Sequence, residues 1–165
     1  MKKTIWVCVF VLAMASVSVA QNKISGTQQC SKPDPQHVIE IGDRANHALE
    51  IEQVKCVWTK PMEVAGIQSK EAMNTSSGEI SGQTFHLSGF HVSTMTNGDK
   101  AFVNFRGSST MKDGKPVSAQ GTWAYTGGTG KLKGIKGKGT FKGTPTEDGG
   151  MTYEVEGEYE LPQGK

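Results

Sequence analysis

The chain has 165 residues, with 18 Lys and Arg against 16 Asp and Glu, a formal net charge of +2. Lys2 and Lys3 supply that whole surplus, so the chain beyond residue 20 is formally neutral. A nucleic-acid-binding surface needs an excess of positive charge; this balance argues against one, and the length suits one domain.

The chain begins with those two lysines, an apolar run from Ile5 to Ala15, and the small residues Ser18-Val19-Ala20. This pattern predicts a secretory signal peptide over residues 1–20, cut after Ala20. The run is short of the roughly 20 apolar residues a membrane span needs. The expected location is therefore periplasmic or extracellular, with no membrane span after cleavage. Cys30 and Cys56 then remain. An even pair in an exported chain predicts a disulfide, with two buried free thiols as the alternative. Closing that loop would stabilise the fold by about 3–4 kcal/mol on the chain-entropy model.

Residues 21–36 are polar and contain Pro33 and Pro35, which predicts an extended N-terminal arm ahead of a barrel domain over 37–165. A short strand is expected at His37 to Ile41, followed by a turn at Gly42 to Asn46. His47 to Trp58 alternates clearly. Leu49 and Ile51 share one face and Glu50 and Glu52 the other. Val54, Cys56 and Trp58 continue the apolar positions with shifted parity, which predicts a bulge near Gln53. Lys60 to Gly82 shows little pattern. It reads as loop, with a short strand near Val64 to Gln68 and a helical turn around Lys70 to Met73.

Beyond Gly82 the pattern is β throughout, and 18 of the 21 glycines fall between Gly78 and Gly164. Phe85 and Leu87 share a face with Phe90 and Val92 if Ser88-Gly89 is a bulge. Asn97-Gly98 signals a two-residue hairpin turn, which pairs Val92 with Val103 and Phe90 with Phe105. At Asp113-Gly114, a three-residue loop would pair Phe105 with Trp123 and Val103 with Tyr125, keeping the large residues together. The last hairpin joins Lys136–Thr144 to Thr152–Leu161. One register sets Lys142, Lys138 and Lys136 opposite Glu154, Glu158 and Glu160. The same register sets Gly137 opposite Tyr159, Gly143 opposite Tyr153 and Phe141 opposite Val155. Charge pairing and aromatic cover over glycine agree on it. The fold class is therefore all-β, an antiparallel meander closing into a roughly eight-stranded barrel.

Little in the sequence carries chemistry by itself. Gly128-Thr129-Gly130-Lys131 fails as a phosphate loop, since Tyr125 and Leu132 stand where that motif needs Gly and Ser or Thr. The histidines His37, His47, His86 and His91 lack metal-ligand spacing, and His86 and His91 are expected on the outer face. No metal or other cofactor is expected. No nucleophile elbow is present. The informative residues are apolar. Phe90, Phe105, Trp123 and Tyr125 are expected on the barrel wall, where a small apolar or aromatic ligand would contact them.

The run GGTGKLKGIKGKGTFKG (127–143), with GTWAY before it and EVEGEYEL after it, resembles the C-terminal half of the allene oxide cyclase and dirigent-like barrels. It is also similar to small exported bacterial proteins of that barrel type. The resemblance covers about Phe85 to Leu161. It implies an eight-stranded antiparallel barrel, often oligomeric, with an apolar cavity for small hydrophobic or phenolic compounds. No catalytic residue of those families falls on a matching position. The leading expectation is an exported ligand-binding barrel without catalysis. A cyclase or isomerase confining a reactive substrate is one alternative, and an envelope or interaction protein with a filled core is the other. A homo-oligomer is compatible with each.

Overall fold

The computed structural model describes residues 22–162, and the expected signal peptide lies outside them. Ten strands follow in order: β1 (Asn22–Cys30), β2 (Gln36–Glu40), β3 (His47–Lys60), β4 (Glu63–Val64), β5 (Ile67–Ser81), β6 (Thr84–Met95), β7 (Lys100–Lys112), β8 (Lys115–Gly128), β9 (Lys136–Pro145) and β10 (Met151–Glu160). Every pairing is antiparallel. The circuit β1-β10-β9-β8-β7-β6-β5-β3 returns to β1 and closes an eight-stranded barrel. β2 adds to the upper half of β3 outside this circuit, and β4 caps the start of β5.

Several segments differ from expectation. Residues 22–30 are extended, but they form a barrel strand and not a separate arm. The segment read as loop and helical turn is the 15-residue strand β5. Its inward positions include Ser69, Asn74 and Ser76, so it carries no apolar alternation to betray a strand. Along β3 the register with β5 runs unbroken from His47 to Val57, so there is no bulge at Gln53. Leu49 and Ile51 face outward, whereas Glu50, Glu52, Val54, Cys56 and Trp58 line the interior side.

The hairpins follow turn geometry. Between β6 and β7 the loop is Thr96-Asn97-Gly98, with Gly98 left-handed at φ 88° and the Met95 amide bonded to the Asp99 carbonyl. This three-residue loop pairs His91, not Val92, with Val103. No bulge interrupts β6 at Ser88-Gly89. Phe90 consequently sits outside, 64% exposed, and His91 inside. Between β7 and β8, Phe105 does pair with Trp123 and Val103 with Tyr125. The route differs: Asp113 and Gly114 form a two-residue turn with positive φ at both, and a shift near Thr110 and Met111 supplies the extra residue.

The β9–β10 register is the expected one at all six pairs. The lysines and glutamates face outward without closing ion pairs among the described residues. Tyr153 lies over Gly143 as expected, but the ring nearest Gly137 belongs to Tyr125 and not Tyr159. Inside, the Trp123 indole rests on Gly139 and Gly157. A Cβ at either would stand 2.5–2.6 Å from its ring. The indole N–H donates to the carbonyls of Thr140 and Glu156, both at 3.2 Å.

The two barrel ends differ. A 3-10 turn at Gly130–Leu132 drops Leu132 and Ile135 into the lower end, where both are fully buried with Met62, Val64 and Met95. The Asp99 carboxylate holds this plug by accepting the Lys131 amide at 3.0 Å. Toward the other end the interior turns polar. The Cys30–Cys56 disulfide joins β1 to β3 there, closing a sequence separation of 26 residues.

Candidate functional site

Above the apolar plug the interior is not filled. A cavity of about 90 Å³ lies between β3, β5 and β6 on one side and β7 to β10 on the other. Phe105, Trp123, Tyr125, Phe141 and Tyr153 provide its aromatic wall. Phe105 meets Phe141 edge to face at 6.2 Å between centroids, and Phe141 meets Tyr153 at 5.9 Å. Such offset pairs are the favoured aromatic geometry.

The opposite wall is polar. Strand period 2 places Glu50 and Glu52 on the same inward face of β3, and both are largely buried. Gln36 Nε2 on β2 donates to Glu50 Oε1 at 2.9 Å, and Ser76 Oγ on β5 donates to Glu52 Oε1 at 3.0 Å. Burial, then the charge of Glu50, pushes the Glu52 carboxyl up to about 7. Burial and then the Glu52 charge push the Tyr153 phenol up to about 12.

His91 enters from β6. Its Nδ1 lies 2.6 Å from Asn74 Oδ1, and Asn74 Nδ2 in turn contacts Cys56 Sγ at 3.5 Å. Burial holds the imidazole down to about 4, so it is neutral at pH 7. With Nδ1–H donated to Asn74, Nε2 is left as an acceptor. The Trp58 ring packs edge-on against His91 at 6.2 Å. Two further buried polar atoms on the cavity wall have no partner, the acceptor Gln28 Oε1 and the donor Trp58 Nε1.

No family model and no curated protein matches the chain. Among solved structures, it is similar to a protein of unknown function from the DUF3224 family of Shewanella oneidensis MR-1. That likeness covers 86% of this chain and 99% of the other, at 15% sequence identity and a TM-score of 0.49.

Of the four expected wall residues, Phe105, Trp123 and Tyr125 line the cavity and Phe90 does not. Phe90 is turned out by the one-residue difference in loop length. The same difference turns His91 inward, against expectation. Glu52, Asn74, Ser76 and Gln28 were not anticipated as site residues. The signal for the glutamates is present in the Leu49–Glu52 alternation, which shows two faces but not which of them turns inward. No cluster of three metal-ligating side chains occurs among the described residues. An open outer groove of about 1180 Å³ crosses β7 to β10 and β1, its wall mixing the charged Lys23, Arg106, Lys138 and Glu156 with apolar and small residues such as Ile24 and Ala124.

Proposed function

We propose that this protein is an exported β-barrel that binds a small apolar or aromatic molecule inside the barrel. The observation that carries this reading is the cavity, whose wall combines aromatic faces with two buried polar atoms lacking partners. A buried polar group without a hydrogen bond costs about 1–3 kcal/mol, and a ligand that satisfies it recovers that cost. The resemblance of the 127–143 region to barrels that hold hydrophobic or phenolic compounds supports the same reading. Export rests on the expected signal peptide, and the disulfide is compatible with it. Thermal-shift and native mass-spectrometry measurements against toluene, benzyl alcohol, indole and phenol test it. At least one should raise the melting temperature and appear as a one-to-one complex. No shift and no complex across the series would remove the binding reading.

One observation favours the cyclase or isomerase reading as a second. Glu52 holds a proton near neutrality while His91 lacks one, and such a divergence marks acid and base roles in one site. It predicts turnover of a bound substrate that Glu52→Gln abolishes without loss of binding.

A further inference from the structure

Every ionisable side chain on the cavity wall is acidic, neutral or aromatic. Glu52 stands there, with Glu50 two residues before it on the same face of β3, and no lysine or arginine reaches the wall. The lysines of β9 point outward. The unpartnered groups lean the same way. Gln28, only 6% exposed, presents a buried Oε1 with nothing donating to it. His91 presents Nε2 as a second acceptor once its Nδ1–H is given to Asn74. Of the fully buried wall atoms without a partner among the described residues, Trp58 Nε1 is the donor. A ligand carrying a carboxylate or phosphate would meet the Glu52 carboxyl and no cation. A ligand rich in N–H donors and positively charged would meet acceptors, that carboxyl and aromatic faces that attract cations.

We propose that the ligand is a small protonated amine bearing an apolar or aromatic group, its ammonium seated at the Glu52 carboxyl and its ring against the aromatic wall. This rests on the binding reading above and narrows its ligand class. Below about 7 the Glu52 carboxyl of the empty site holds a proton. When R–NH₃⁺ binds, that proton leaves to solvent, the Glu52 carboxylate is ionised, and the amine keeps its own three protons. Binding therefore releases up to one proton below neutrality and almost none well above it, and affinity for the amine rises with pH through that range. Ser76 from β5 and Tyr153 from β10 face Glu52, and Gln36 from β2 holds the adjacent Glu50. None of them is a second cation.

Benzylamine, benzyl alcohol and benzoate share a ring and differ in charge. Calorimetric titration of the full mature protein with each, at pH 6 and pH 8 in two buffers of different ionisation enthalpy, tests the proposal. Benzylamine should bind at least about tenfold more tightly than the other two, as a charge-assisted contact implies, with proton release at pH 6. Glu52→Gln should cost benzylamine about tenfold or more and leave benzyl alcohol within about twofold. If benzyl alcohol or benzoate binds as tightly as benzylamine, or Glu52→Gln leaves amine binding unchanged, the amine proposal is overturned and the binding reading stands. If none of the three binds and the neutral aromatic series also produces no thermal shift, both fall together.

Discussion

Glu52 keeps a proton into the neutral range because burial and the neighbouring Glu50 charge both oppose its ionisation. An unfolded glutamate titrates near 4.5. Between about 4.5 and 7 the folded state thus binds more protons than the unfolded one, and stability falls as pH rises through that window. His91 acts in the opposite sense. Its folded value near 4 lies below the ordinary 6.5, so stability rises with pH between them. The two slopes oppose each other up to about 6.5; above it Glu52 acts without His91, in the same sense as His47, which its hydrogen bond to Asp43 raises above 6.5. Glu52→Gln is expected to stabilise the protein near pH 8 by roughly 1–3 kcal/mol, by removing a buried charge next to another. It should also flatten the decline between pH 6.5 and 7.5. Urea denaturation at a series of pH values measures both effects, and parallel curves for the two proteins would contradict the assignment. Trp123 offers a second case at this scale. Its indole fills the space left by two missing side chains, and a Cβ at Gly139 would also stand 2.0 Å from the Glu156 carbonyl oxygen, so Gly139→Ala should cost at least about 1–3 kcal/mol by overpacking. The expected sign is a lower melting temperature with altered tryptophan fluorescence. An unchanged spectrum and stability would show that both the ring and the β10 backbone have room to move.

At the scale of elements, one loop residue decides which side chains enter the cavity. The Asn97-Gly98 pair belongs to a three-residue loop, and its glycine occupies a left-handed position with open space around it. Gly98→Ala should therefore cost about 1–2 kcal/mol through backbone conformation alone, without moving His91. Chemical denaturation and the His91 imidazole NMR signal would show this, and a large imidazole shift would mean the loop sets register less firmly than its geometry implies. The same loop explains much of what the sequence disclosed and concealed. Strands with apolar inner faces and glycine pairs, such as β9 and β10, were legible to the residue pair because charge and packing patterns agreed. A two-residue turn and a bulge at Ser88-Gly89 would together give Phe90 an apolar inward face, and the chain has neither. β5 was missed, and β3 was turned over at Glu50 and Glu52, for one physical reason. Both strands line a cavity whose wall is partly polar, so burial there does not follow hydrophobicity. Phe105, Trp123 and Tyr125 could be read as wall residues because their side of the barrel is conventionally apolar. Glu52, His91, Asn74 and Gln28 could not, since a polar inward residue is distinguishable from a polar outward one only once the register is known.

At the scale of the whole molecule, closure of the barrel depends on the seam between β1 and β3. It comprises four residue pairs, Thr27–Lys60 to Cys30–Cys56, against nine between β1 and β10 and twelve between β5 and β6. A shift between Thr27 and Gln28 interrupts even these. The disulfide stands at the end of this short ladder, where it holds together strands that few hydrogen bonds join. It also reaches the site, because Cys56 Sγ accepts from the Asn74 amide whose oxygen receives His91, and Gln28 lies two residues before Cys30 on the same strand. Replacing both cysteines by alanine is expected to lower unfolding free energy by about 3–4 kcal/mol, the loop-closure value for this separation. The loss should be local before it is global. Amide hydrogen exchange should accelerate at Gln28 to Cys30 and at Val57 and Trp58, while the β7–β8 hairpin, held by a long ladder on each face of β7, keeps its protection. A uniform acceleration across all strands would instead mean that the barrel opens as one unit. In that case the seam would be no weaker than its neighbours, despite having the fewest pairs.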